Sequence, residues 1–211
     1  MLYDNIQYIN LLTKFYQKTK NDYYKKKLIQ TISFINKEFK NNENLYGSAY
    51  DADSEGIEGK YYVWPYDELK KILENDFGLF EKKYEISNKG NFEGNNILVE
   101  SKNQLSKEEQ NKIAEIEEKL IQKRKKRVKP FFDDKSQTDL NAFILNSLIG
   151  ASIVLEDNNL KDEAISTLEI LNDKLSNKIY HCYDSSEIDA FLEDYVYYAM
   201  LLVTLYEVNS D

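Results

Sequence analysis

Apolar residues at positions 2, 3, 6, 8, 9, 11, 12, 15 and 16 recur at spacings of three and four. That pattern predicts an amphipathic helix over Leu2–Thr19 with a wide buried face. Asn21 or Asp22 is placed to cap a second helix, about Asp22 to Phe39, which turns Leu28, Ile29, Ile32 and Ile35 inward. Asn41-Asn42-Glu43-Asn44 breaks that helix, and Leu45 to Tyr50 reads as extended. The same order returns downstream. Thr138 to Glu156 predicts an apolar helix, Asp157-Asn158-Asn159 a turn and cap, and Leu160 to Ser176 a second amphipathic helix. Ile179-Tyr180-His181-Cys182-Tyr183 is again short and extended, followed by Asp184, and a third round runs from Phe191 to Val208.

The first and third rounds align without gaps at an offset of 190, which places Leu2, Asp4, Leu11, Leu12 and Tyr16 on Leu192, Asp194, Leu201, Leu202 and Tyr206. At an offset of 137, Asp4 and Leu11 fall on Asn141 and Leu148. The pattern is an α-hairpin repeat: an inner apolar helix, an outer amphipathic helix and a short extended return. It divides the chain into a first hairpin at 1–45, an insertion at 46–135, a second hairpin at 136–187 and the first helix of a third at 188–211. Within the insertion, Lys60–Trp64 predicts a strand, and Pro65 precedes a helix over Tyr66–Asn75. Gly90–Asn96 predicts a turn-rich loop, Ile97–Val99 a short strand, and Ser106–Lys126 a charged helix opened by a Ser106/Glu109 capping box. The expected class is mainly all-α with short strand insertions. Hairpins of this kind bury one face against neighbours, so the last helix is expected to expose apolar surface suited to a protein partner.

Composition narrows the function. The 211 residues are 42% hydrophobic and carry 28 basic against 37 acidic side chains, a net charge of −9. An acidic chain argues against a nucleic-acid partner. The dense basic run Lys123–Arg127 reads as a solvated helix face before it reads as a phosphate site. A single cysteine, Cys182, leaves no internal disulfide framework or multi-cysteine zinc site, and a single histidine, His181, leaves no His-rich metal centre. Met1–Asn5 lacks the basic and apolar regions of a signal peptide, and the apolar run Tyr195–Tyr206 is too short to span a bilayer. The expectation is a cytoplasmic protein with no membrane contact, no cofactor and no metal.

The densest candidate chemistry lies in Tyr46–Gly59, where Asp51, Asp53, Glu55 and Glu58 fall within eight positions among turn-forming glycines. Three readings stay open: a hard-cation loop, paired carboxylates for acid–base work on a sugar, and a solvated acidic turn. The cation reading lacks the bidentate glutamate of an EF-hand, because Tyr62 holds that place. Asp133 and Asp134 sit beside Phe131 and Phe132 ahead of the Thr138 helix, either as caps or at a pocket mouth. Polar residues open each inner helix: Asp4-Asn5, Asp139 with Asn141, and Glu193-Asp194. Trp64, Tyr50, Phe92 and Tyr195 are candidate stacking platforms, each with core packing as the alternative. His181 and Cys182, in a short apolar strand, read as a half-buried histidine and a small buried hydrophobe.

Several of these stretches carry a family resemblance. They are Met1–Asp4, Ser48-Ala49 with Asp51–Gly56, Glu58–Trp64, Gly90–Gly94, Asn96–Leu98, Asp133–Lys135 and Phe191–Tyr195. In this order, over nearly the whole chain, the sequence resembles the thioredoxin-domain-containing family of the spermatogenesis-associated thioredoxin-like protein and its bacterial relatives. The block from Asp51 to Trp64 is the most specific. That family joins a thioredoxin-like domain to an α/α toroid similar to six-hairpin glycosidases and N-acylglucosamine 2-epimerases. The resemblance therefore implies a partial six-hairpin toroid without the thioredoxin domain, and a small-molecule carbohydrate as ligand or substrate. Asp51, Asp53, Glu55, Asp133 and Asp134 become candidate catalytic groups, with Asp51 or Asp53 as acid or base. Trp64, Asn91, Glu93, Asn141, Glu193 and Asp194 become candidate binding groups.

The departures are specific. Where the family carries tryptophan-asparagine-glycine, this chain has Leu140-Asn141-Ala142, and an upstream histidine is replaced by Phe131. Epimerases of this fold use histidines as acid–base groups, and this chain offers His181 alone. The alternative expectation is a non-catalytic fragment that assembles with a partner polypeptide supplying further hairpins.

Overall fold

A computed structural model describes residues 1–175, 178–182 and 188–209. Ser176, Tyr183 and Asp184, expected at the end of the second hairpin, lie outside the described residues. In chain order the helices are α1 (Leu2–Thr19), α2 (Asp22–Glu38), α3 (Tyr66–Leu73), α4 (Phe77–Lys83), α5 (Lys107–Arg124), α6 (Thr138–Leu155), α7 (Asn158–Lys174) and α8 (Leu192–Asn209). Among the described residues, eight two- or three-residue strands accompany them: β1 (Ala49–Tyr50), β2 (Asp53–Ser54), β3 (Ile57–Glu58), β4 (Tyr84–Glu85), β5 (Val99–Glu100), β6 (Phe132–Asp133), β7 (Tyr180–Cys182) and β8 (Ile188–Asp189). They pair antiparallel as β1–β6, β2–β3, β4–β5 and β7–β8. The protein is mainly helical.

The chain divides into two compact units, residues 1–50 with 132–211, and residues 51–131. In the first unit, α1 packs on α2, α6 on α7, and α6 also on α1 and α8, so α6 is the central helix. Leu2, Ile6, Ile9 and Leu12 of α1 are buried at helical spacing, as are Leu28, Ile32 and Ile35 of α2. Ile29, expected to point inward, is exposed. It directly follows Leu28, about 100° further around the helix. Both hairpins turn by one device. Lys20 (φ 53°) and Glu156 (φ 58°) close the inner helices in the left-handed conformation. The next residue, Asn21 or Asp157, caps the outer helix by accepting from Tyr23 N–H at 2.9 Å or Leu160 N–H at 3.1 Å.

By length and composition alone α6 would suffice to cross a membrane, yet more than half of it is buried within the fold. By contrast α8 buries Asp194 and Leu201 but exposes Leu192, Tyr195, Val196, Met200, Leu202, Val203 and Tyr206. Asn141, fully buried in the first turn of α6, holds the extended return of the first hairpin. Its Oδ1 accepts from Tyr46 N–H at 2.8 Å, and its Nδ2 donates to Tyr46 C=O and Gln137 C=O, each at 2.9 Å. Gly47 is required beside this return, because a Cβ there would lie 2.8 Å from the Asp134 backbone.

The second unit gathers Trp64, Leu69, Leu73, Phe77, Phe80, Ile113, Ile116 and Leu120 into its own core. The capping box forms as the spacing predicts: Ser106 Oγ accepts from Glu109 N–H, and the Glu109 carboxylate accepts from Ser106 N–H. Lys60–Trp64 is not a strand. Gly59, at φ 71°, starts a turn in which Tyr62 and Val63 N–H both donate to its carbonyl, and only Trp64 pairs, with Asn96. The helix expected over Tyr66–Asn75 stops at Leu73, and Glu74 at φ 47° redirects the chain toward α4, which the pattern did not predict.

Candidate functional site

The predicted site residues divide between the two units. In the second, Asp51, Asp53 and Glu55 are exposed. Asp51 Oδ1 accepts from Asp53 N–H at 3.2 Å, an Asx turn, and β2 and β3 join through Glu55 (φ 54°) and Gly56 (φ 73°). Two positive φ values are those of a type I′ hairpin turn. Glu55 pairs with Lys60 at 2.8 Å. Asn91 bonds the Ile97 main chain on both sides, accepting at 2.7 Å and donating at 2.9 Å. Glu93 is exposed at φ 45°. Glu55 and Glu93 do meet at one cavity, of about 500 Å³, which Phe92 and Tyr61 also line. Trp64, expected as a stacking platform, is a core residue instead. It is 2% exposed, and the Arg127 guanidinium covers its ring at 4.0 Å. Arg127 is held there by Tyr61 and Val63 carbonyls and by Glu68 at 3.0 Å.

In the first unit, Asp133 pairs with Lys135 at 2.8 Å. Partial burial raises its carboxyl, but hydrogen bonds from Lys135 and Ser48 outweigh this and hold it below the ordinary value. Asp134 is exposed, and its carbonyl accepts from Asn41 Nδ2 at 3.0 Å. Tyr50, another expected platform, stacks on Phe132 at 4.7 Å and donates its hydroxyl to Glu38 C=O. Asn141 is a fully buried structural clamp with no valence turned to a ligand. Glu193 is exposed in the first turn of α8, and Tyr195 is half-exposed.

Asp194 differs from all of these. Its side chain is fully buried at the start of α8. Oδ1 accepts from Asp139 N–H at 2.9 Å, a donor that the first turn of α6 leaves unpaired. Oδ2 accepts from Phe191 N–H at 2.8 Å. Both oxygens lie 3.1 Å from His181 Nδ1 on β7. A carboxylate flanked by N–H donors accepts only, so the network assigns a proton to His181 Nδ1, and in the neutral tautomer fixed this way Nε2 is the basic nitrogen. The ring rests edge-on against Phe191 at 4.9 Å and stays 16% exposed. Asp139 Oδ1 stands 4.0 Å from the same Nδ1. Burial, then the charges of Asp194 and Glu193, raise the Asp139 carboxyl above its ordinary value, against the Leu140 N–H bond and nearby His181.

Among the described residues, Asp139, His181 and Asp194 also form a group whose potential ligand atoms lie within 4.8 Å of one another. Sequence reasoning chose Asp194 but set His181 aside as a core residue and took Asp139 as a helix opener. The available signal was the repeat, which places Asp194 on Asn141; each meets the extended return that precedes its helix. No family model and no curated protein matches the chain.

Proposed function

We propose that the chain is a partial α/α-toroid domain of six-hairpin type that binds or processes carbohydrate. Its acid–base chemistry then centres on His181, Asp194 and Asp139, at the starts of inner helices α6 and α8. One observation carries the chemistry: a buried carboxylate fixes the tautomer of a partly exposed imidazole beside a second carboxyl whose proton is held more tightly than usual. Environments that push neighbouring groups apart divide the roles of acid and base. In this reading His181 Nε2 removes a proton from a sugar hydroxyl or from the carbon beside a carbonyl, Asp139 supplies one, and Asp194 orients the ring. The carbohydrate itself comes from the family resemblance and the hairpin order, which is an analogy of fold. The test is turnover of neutral and N-acylated hexoses and their glycosides, followed by NMR for epimerisation and bond cleavage. His181→Gln should cut the rate by about 10²–10⁴-fold with little change in Tm. Equal rates in the two proteins overturn the dyad, and no turnover or binding of any sugar overturns the carbohydrate reading.

A second reading has its own observation. Among the described residues, α8 exposes seven large apolar side chains, Leu192, Tyr195, Val196, Met200, Leu202, Val203 and Tyr206. A partner polypeptide that contributes a helical hairpin would cover this surface. A protein that sediments as a monomer at high concentration and leaves an apolar dye unbound would remove that reading.

A further inference from the structure

The repeat and the burial of the inner helices α1, α6 and α8 agree on one asymmetry. Leu11 and Leu12 of α1 align with Leu148 and Ile149 of α6 and with Leu201 and Leu202 of α8. The central helix packs on both of the others, and it buries both of these positions. α1 buries Leu12 but leaves Leu11 50% exposed, whereas α8 buries Leu201 but leaves Leu202 45% exposed. Adjacent helical positions lie about 100° apart, so the first of the two faces the preceding inner helix and the second the following one. Among the described residues, the row α1–α6–α8 therefore ends in two exposed faces that are the two halves of one kind of contact.

Each face continues along its helix. In α8, Leu192, Tyr195, Ala199 and Leu202 are exposed at spacings of three, four and three, with exposed Val196 and Val203 beside them. That stripe holds no charged residue, and a wide apolar stripe is a face suited to burial. Exposed Glu193 and Glu207 lie at its edge, and α8 has no lysine or arginine. In α1, Tyr8, Leu11, Phe15 and Lys18 are exposed at spacings of three, four and three, next to exposed Lys14. The inner helices run parallel. The starts of α1 and α6 meet one return, where Leu2 N–H donates to Ser48 C=O at 2.9 Å and Asn141 holds Tyr46, and Asp194 joins the start of α8 to that of α6. In this register Glu207 of one helix is level with Gln17 of the other, between Lys14 and Lys18.

We propose that a second copy of this chain covers these faces, with α8 of one copy packed against α1 of the next as α1 packs against α6. The proposal names the occupant that the partner reading above leaves open, and it rests on the exposed surface that carries that reading. The rims favour this pairing, because α8 against α8 would offer its acids no basic partner. The contact joins two different faces and is heterologous: two copies close into a pair by exchanging it twice, and copies that do not close extend into longer assemblies.

Sedimentation velocity over a concentration series reads the association, on the unmodified chain and on Leu11→Glu and Val203→Glu. Both positions are exposed in the single chain, so each variant should keep the parent's circular dichroism spectrum. In a solution of either variant every contact buries a glutamate, which should weaken association about 100-fold or more. In an equal mixture the intact α8 of Leu11→Glu meets the intact α1 of Val203→Glu, and a species of two chains should return. A monomeric parent, association that survives in either variant alone, or a mixture that stays monomeric overturns the proposal. Survival in Leu11→Glu alone would place α8 against α8 instead. A monomeric parent that still binds an apolar dye overturns the second copy and leaves the partner reading standing; one that binds none removes both.

Discussion

The acidic turn at 51–58 and the acids at the helix starts are two ways of placing carboxylates. The turn carries four within eight positions, all exposed, with Glu55 neutralised by Lys60. Asp139 and Asp194 stand far apart in sequence, yet the fold brings them onto one histidine, with Asp194 fully buried. Density along the chain therefore says little about chemistry. A carboxylate in water keeps its hydration and its ordinary behaviour. A buried one must find donors, and those donors decide what it can do.

The largest expected effect tests the buried member of that contrast. Asp194→Ala leaves Asp139 N–H, Phe191 N–H and His181 Nδ1–H without their acceptor. Breaking a buried hydrogen-bonded charge cluster by removing one member costs about 3 kcal/mol or more. For a chain of this length that is a fall of roughly 6–12 °C in Tm. Thermal unfolding by circular dichroism reads it directly. A shift no larger than that of a surface substitution would mean that Asp194 does not clamp the helix starts, and the contrast would collapse.

What the sequence shows plainly is whatever local pattern determines. Helical periodicity located α1, α2 and α5–α8 to within a few residues, and Asn21, Asp157 and Ser106 cap as their chemistry predicts. Lys60–Trp64 has the composition of a strand, but Gly59 turns the chain and Trp64 finds its pairing partner at Asn96, thirty-two residues away. The candidate site was legible only in part for the same reason. Asp194 stood out through its place in the repeat, whereas His181 looks like any core histidine until β7 is laid beside α8. Asn141, singled out by its place at a helix start and by the resemblance, serves as a main-chain clamp, and Trp64, a stacking platform by residue type, serves as a core ring.

A smaller effect, and one of opposite sign, is expected at Asp139. Its folded-state carboxyl holds a proton more tightly than the unfolded chain does. Folding thus takes up a proton between the ordinary carboxylate value and the raised one, and stability falls as pH rises through that window. Above the window the ionised group remains a penalty; below it both states are protonated and the penalty vanishes. Asp139→Asn cannot ionise, so the variant should melt higher than the parent at neutral pH, with the gap closing as pH drops below the ordinary carboxylate range. A Tm–pH series on both proteins checks this. A variant that instead melts below the parent at neutral pH, with the deficit closing toward acid, would show that Asp139 is stabilised as an anion, and the division of acid and base roles would reverse.

The smallest effect belongs to the acidic turn, and it sharpens the contrast most. Asp53 joins β2 to Glu58 of β3 through its backbone, while its side chain points into solvent. Asp53→Asn keeps the shape and leaves the N–H bond to Asp51 in place. It also removes one of four like charges, whose mutual repulsion salt already screens. Tm should stay within about 1–2 °C of the parent. If the chemistry lies at the helix starts, any sugar turnover or sugar-induced stabilisation should survive as well. Loss of turnover with an unchanged Tm would return the acid–base centre to the turn, where carboxylate density alone would place it.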